Sequence, residues 1–367
     1  MPPASASPSS RARASRPSSR RARWPRPGSR ATSSRGVRRL RPGQARGVIV
    51  RWGLRELPGL LGELGIERPF LIASERWSEL DLPAVGRWNE VPSHRIDEIA
   101  AAAEGADGLL AVGGGSAIDL AKAVSVATGL PVVSVPTTYA GAEWATNFGI
   151  RDPERRMQGG GSGADLAGIV YDPDLSLGLP LDVTVGTAMN ALAHCAEALY
   201  VKGRSPQADV LAIEGARTIN EALPRVAAFA EDRQARTKLL AGADVAGHAL
   251  GLAGLGLGHA MAQAVGGRYG LPHGALNAIC LPAALRFNRP VAGEEIARFA
   301  EALATDDPVG RVQELALLGG FERLRDLGVP EEDLDELGHA ASQRGGAKAN
   351  PRQAEPAEVA ELLRSVW

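Results

Sequence analysis

From residue 48 the chain alternates short apolar runs with stretches whose apolar residues recur at helical spacing. VIVRWG (48–53), PFLIAS (69–74), DGLLAV (107–112) and PVVSVPTT (131–138) are short and nearly continuous in apolar character. They predict buried strands. Between them LRELPGLLGELG (54–65), HRIDEIAAAAEG (94–105) and AIDLAKAVSVATG (117–129) predict helices, the first stopped at Gly65. Strand and helix in alternation imply βαβ units around a parallel sheet. Beyond about residue 180 the strand-like runs stop. Segments 184–202, 206–230, 234–253, 255–268, 273–288, 293–304 and more to the C-terminus are rich in Ala, Leu and Glu and predict an all-helical part. Pro180, just before the change, marks the boundary. The expected organisation is an extension over 1–46, an α/β domain over 47–180 and an all-α domain over 181–367, with no internal repeat.

The extension is set apart by charge. Residues 1–46 hold 13 Arg and no Lys, Asp or Glu, so the remainder carries −14, the chain's −1 less these 13 positive charges. Pro, Ser and Arg leave little to bury, which predicts disorder. A basic arm for nucleic acid or membrane and a targeting peptide are two readings of it. No apolar stretch follows Arg20-Arg21, and a non-structural extension is the reading favoured here. The acidic body argues against nucleic acid as a partner. Its 44% hydrophobic content supports a large core, and aromatics at only 4% beside 44 glycines suit Ala-rich helices and tight turns more than a β-sandwich. Cys195 and Cys280 fit neither a disulfide framework nor a ligand spacing, which points to a reducing cytoplasm. No apolar run approaches the roughly 20 residues of a membrane span.

LLAVGGGSAIDLAKAV (109–124) reads as strand, glycine loop, helix. Gly113, Gly114 and Gly115 let the backbone turn sharply and approach a ligand, and the N–H groups of the next helix favour a phosphate. The spacing is neither GxGxxG nor GK[ST], and a ligand-free βα turn has the same look. Asp119 suits the helix dipole and is also able to bond a ligand; Lys122 follows one turn later. Thr137, Thr138 and Tyr139 end the next strand, where open α/β sheets bind ligands.

TAMNALAHCAEALY (187–200) places Asn190 and His194 one turn apart on a helix face. His259 and His273 arrive downstream in GLGHAMAQAVGGRYGLPHGALNAICLP (256–282). Together they would close a metal-ligand set, although each alone suits a satisfied polar residue.

As a set, GGGSAIDLAK, PTTYAGAE, YDPDLSLGLP, NALAHCAEALY, GHAMAQAVGG and LPHGALNAICLP resemble the iron-containing alcohol dehydrogenase superfamily in order, over about residues 47–290. The resemblance implies a nucleotide-binding α/β domain followed by a helical domain, a dehydroquinate synthase-like fold, with NADH or NADPH and a small-molecule substrate meeting in the cleft, and a homodimer. By position it implies that Gly114, Gly115, Ser116, Asp119, Thr137, Thr138 and the Tyr139–Ala142 turn contact the cofactor, with Gly113 shaping the loop and Leu175 packing nearby. Metal-dependent members use an Asp and three His, which fall here on Asn190, His194, His259 and His273; a further family histidine is Gln263. An amide in place of a carboxylate removes a charge from any Fe or Zn site. The maleylacetate reductase branch carries that Asn and works without a required metal. LPHGALNA is nearer the alcohol dehydrogenase version, and the segment between the strands at 69–74 and 107–112 is shorter than the family's.

The activity expected is hydride transfer from a reduced nicotinamide to the carbon–carbon double bond of maleylacetate, giving 3-oxoadipate. His194, His259 and His273 would meet the enolate charge, Asn190 would orient the substrate, Tyr139 or a histidine would supply the proton, and Arg268 is a candidate for a substrate carboxylate. The alternatives are a metal-dependent (Fe or Zn) alcohol dehydrogenase and a nucleotide-binding protein that has lost catalysis.

Overall fold

The computed structural model describes residues 47–367; the extension read over residues 1–46 lies outside the described residues. Eight strands follow in chain order: β1 (Ile49–Trp52), β2 (Pro69–Ala73), β3 (Gly86–Trp88), β4 (Gly108–Gly113), β5 (Val132–Pro136), β6 (Phe148–Arg151), β7 (Met157–Gly161) and β8 (Leu166–Tyr171). Six form a sheet in the order β1-β8-β5-β4-β2-β3, and every pair in it is parallel. β6 and β7 form a separate antiparallel hairpin.

The helices α1 (Leu57–Leu64), α2 (Ile96–Ala102) and α3 (Gly115–Thr128) cover the sheet. Side chains on β4 alternate between its two faces. Leu109 and Ala111 pack with Ile99, Ile118 and Val124 from α2 and α3. Leu110 and Val112 pack with Leu57 and Leu60 from α1. Covering helices on both faces explain why β4 and β5 are apolar at nearly every position.

The helical part opens one residue after Pro180 with α4 (Leu181–Ala198), α5 (Pro206–Ala228), α6 (Arg233–Ala253), α7 (Leu257–Tyr269), α8 (His273–Asn288) and α9 (Gly293–Ala302). It ends with α10 (Pro308–Leu317), α11 (Leu334–Ser342), α12 (Gly345–Ala349) and α13 (Pro356–Arg364). The largest core cluster joins α4, α5 and α6 to Tyr139, Ile169 and Tyr171 of the α/β part. The sequence pattern does not reveal β3, β6, β7 or β8. β3 is three residues long, and β7 is Met-Gln-Gly-Gly-Gly with four of five positions exposed. Among the described residues no single helix is long and apolar enough to cross a membrane.

Candidate active site

A cavity of about 960 Å³ lies between the carboxyl ends of the strands and the helical part. One wall is the glycine loop. Gly113 closes β4 at φ +151°, and a Cβ there would stand 2.8 Å from that of Ala117. A Cβ on Gly114 would meet Thr138 Cγ2 at 2.9 Å. Packing therefore accounts for these two glycines. A Cβ on Gly115 would meet nothing nearer than 3.8 Å. Glycine there leaves the first N–H of α3 bare at the cavity wall, and no side chain caps that helix end. A bare helix N-terminus on an open cradle fits the pyrophosphate of a dinucleotide. Ser116, Thr137 and Thr138 line the same wall.

Asp119 is also at this wall, with both oxygens engaged. It accepts from Gly149 N at 3.1 Å and pairs with Lys122 Nζ at 2.7 Å. Lys122 is buried and donates to the carbonyls of Ala142, Ala145 and Asn147. The pair ties α3 to the loop after β5 and to the hairpin.

The opposite wall holds the histidines. α4 carries Asn190 and His194, α7 opens near His259, and α8 starts at His273. The imidazoles of His194 and His259 stack at 4.8 Å between centroids, and His273 lies 5.6 Å from His259. Asn190 Nδ2 donates to Ala140 O at 2.8 Å, which fixes the amide's direction. Its Oδ1 accepts from Asn277 Nδ2 at 2.6 Å, and that same amide nitrogen lies 3.0 Å from His273 Nε2. Asn190 Nδ2 lies 3.4 Å from His194 Nε2. Both Nε2 atoms therefore face N–H donors and accept, which puts the ring protons of His194 and His273 on Nδ1. Those two Nδ1 atoms are buried without a protein partner. His259 Nδ1 lies 2.7 Å from the buried carboxylate of Glu197, which also accepts from the N–H groups of Gly256 and His259.

Burial, then the charges of His259 and His273, hold the His194 pKa well below the ordinary imidazole value. Burial, His259 and the guanidiniums of Arg151 and Arg344 push His273 down to about 3. Both rings are neutral hydrogen-bonding groups at physiological pH.

These residues do not fit a divalent metal as arranged. The donor set is three imidazoles and an amide without a carboxylate, and amide N–H groups face two of the three Nε2 lone pairs. Among the described residues no three His, Cys, Asp or Glu side chains converge as ligands.

Three candidates stand away from the cavity. The Tyr139 ring is fully buried, and its hydroxyl bonds Ser176 Oγ and Arg236, each at 3.2 Å, so it reaches no substrate. Leu175 sits in the turn Pro173–Ser176 and packs toward the α1 face of the sheet; Leu179 lines the cavity instead. Arg268 pairs with Asp333 and Glu336 at the surface. Gln263 does line the cavity. Sequence reasoning missed Glu197 and Asn277, although each lies one helical turn after a histidine it serves or a neighbour of one. It also missed Arg151 and Arg344, which no local pattern announces.

Residues 48–164 match "Iron-containing alcohol dehydrogenase" and residues 184–367 match "Fe-containing alcohol dehydrogenase family, C-terminal". Maleylacetate reductase of Pseudomonas knackmussii is 34% identical over 330 residues, covering 86% of this chain and 93% of that protein. The crystal structure of maleylacetate reductase from Rhizobium sp. strain MTP-10005 superposes with a TM-score of 0.78 at 29% identity, over 88% of this chain and 97% of the other. Sulfoacetaldehyde reductase from Bifidobacterium kashiwanohense, solved with NAD+, shares the fold with a TM-score of 0.77 at 21% identity, over 87% and 96% of the two chains.

Proposed function

The chain belongs to the iron-containing alcohol dehydrogenase family, and from that premise we propose that it is an NAD(P)H-dependent reductase of the maleylacetate type, yielding 3-oxoadipate. The observation that carries this reading is the orientation of Asn190. Its amide nitrogen is committed to Ala140 O and its oxygen to Asn277, so the centre of the histidine cluster is a hydrogen-bond network and not an anionic cation site.

Gly114, Gly115, Ser116, Thr137 and Thr138 would hold the dinucleotide along the α3 terminus. A bound reduced nicotinamide supplies the hydride. The chain's own groups meet the charge that develops on the oxo group as the double bond is reduced. His194 and His273, neutral and oriented by Asn190 and Asn277, line the cavity beside that oxygen, and the amide N–H groups of Asn190 and Asn277 at their Nε2 edges are the donors nearest to it. Glu197 fixes the ring of His259 beside them. Delivery of the proton falls to His259, whose ring nitrogens lie against the Glu197 carboxylate and Asn190 Oδ1, because His194 and His273 are neutral and Tyr139 faces away. A cytoplasmic homodimer is part of the same proposal; the buried, free Cys195 and Cys280 suit a reducing compartment.

NADH and NADPH oxidation with maleylacetate and with an aldehyde panel, with and without EDTA, tests the reading. Maleylacetate-dependent oxidation that survives EDTA is expected. Aldehyde or alcohol turnover that EDTA abolishes would replace it with a metal-dependent alcohol dehydrogenase, the reading that the Asn277 version of the last motif favours.

A further inference from the structure

Two guanidinium groups at the histidine end of the cavity have no part in the chemistry above. Arg151 closes β6, and Arg344 is the residue before α12. Both line the cavity together with His273. Neighbouring arginines find carboxylates: Arg156 takes Asp152 and Glu154, and Arg268 takes Asp333 and Glu336. Among the described residues Arg151 and Arg344 form no ion pair. Arg151 donates only to Arg155 O, at 2.9 Å, and Arg344 Nε is buried with no partner. Asp119, the acid facing Arg151, is already held by Lys122 and Gly149.

The two cations also repel one another. Burial and the charge of Arg151 lower the Arg344 pKa, and both depress His273. Half-buried, unpaired and mutually repelling guanidiniums are costly unless an anion completes them. They reach the cavity from different parts of the fold, one from the hairpin and one from the helical part, so a bridging anion would satisfy both. The dinucleotide phosphates have their own cradle at Gly115, on the glycine-loop wall.

We propose that Arg151 and Arg344 form a carboxylate clamp that binds one end of a dicarboxylate substrate and sets its reacting carbons against the histidine cluster. The fork of each guanidinium suits a carboxylate better than an ammonium would. This assignment rests on the reductase reading for the identity of the substrate and on the cavity alone for the charge it accepts.

Arg151→Gln and Arg344→Gln test it, with the Lys variants as partial rescue and thermal melting with NADH binding as the check of folding. Each Gln variant is expected to raise KM for maleylacetate about 100-fold with a much smaller change in kcat, and to weaken adipate binding to the enzyme–NAD+ complex in calorimetry by a similar factor. KM for NADH and NADPH should stay within about threefold. Two results overturn the clamp: adipate affinity and KM for maleylacetate that barely move, or a loss confined to the cofactor, which would assign the arginines to its phosphates. If the wild type fails to reduce maleylacetate while adipate binding is lost in both Gln variants, the reductase reading falls and the clamp stands.

Discussion

At the scale of single residues, the site depends on which way one amide points. Asn190 donates to Ala140 O and accepts from Asn277, and through Asn277 the arrangement extends to His273. In Asn190→Asp one carboxylate oxygen would face the Ala140 carbonyl across 2.8 Å, acceptor against acceptor, with no proton to share. The variant should lose about 1–3 kcal/mol in chelator, the usual cost of a buried unsatisfied polar group. Added Zn2+ should restore its Tm by supplying the missing positive charge, while the wild-type Tm should ignore both EDTA and Zn2+. A wild-type Tm that rises with Zn2+ would mean that the amide has not displaced the metal. The i, i+4 spacing of Asn190 and His194 was readable in the sequence because both lie on one helix. The proton positions were not, since they depend on Ala140 and Asn277, 50 and 87 residues away. Tyr139 differs from the sequence expectation for a related reason: a hydroxyl just past a strand end is obvious in the sequence, but its direction is set by Arg236 and Ser176 in other elements.

At the scale of elements, the strands with continuous apolar runs and the helices with clear periodicity appear close to where the pattern places them. The hairpin β6–β7 does not show in the pattern, because Phe-Gly-Ile-Arg and Met-Gln-Gly-Gly-Gly bury too little to leave one. Its position is set by Ile150 and Phe148 packing on the α3 face and by long-range polar contacts, Lys122 reaching from α3 to three backbone carbonyls just before the hairpin and Asp119 reaching to Gly149 N. Lys122→Met would leave those carbonyls and the Asp119 carboxylate without their common partner. A loss of about 2–4 kcal/mol is expected, chiefly from the three carbonyls left without a donor, since Asp119 is partly open to the cavity. Urea unfolding measures the loss, and hydrogen exchange should show the largest gain over residues 145–161. Stability within about 1 kcal/mol of wild type would mean that the hairpin is held by its own packing and not by this lysine. Because β6 carries Arg151, the same variant should also raise KM for the dicarboxylate.

At the scale of the whole molecule, the sheet and the helical part meet around a second buried polar group. Glu143 lies in the turn Ala142–Trp144 after β5 and accepts from Tyr171 Oη of β8 at 2.6 Å. Trp144 Nε1 beside it reaches Asp244 of α6, and its ring stacks on His248 at 4.3 Å. Lys122 of α3 is the cation facing this group. Burial is the dominant cause that raises the Glu143 pKa from 4.5 to about 7, against the opposing hydrogen bond from Tyr171. An acid whose pKa is raised on folding binds more protons in the native state than in the unfolded one between those two values. The associated stability is full below pH 4.5 and is lost as pH rises through about 7. At 1.36 kcal/mol per unit the loss is about 3 kcal/mol. His194 and His273, buried neutral, act in the opposite direction as pH falls below the ordinary imidazole value, so the stability of the wild type alone would mix the effects. The difference between wild type and Glu143→Gln isolates the carboxyl, since the histidines are common to both. Relative to that variant, the wild type should lose about 3 kcal/mol between roughly pH 4 and 7.5, with the steepest change between about pH 5 and 6.5, midway between the unfolded and folded values. Urea unfolding across that range gives the difference directly. Parallel curves for the two proteins would mean that Glu143 is ionised at the junction throughout, with Lys122 and Tyr171 compensating its burial.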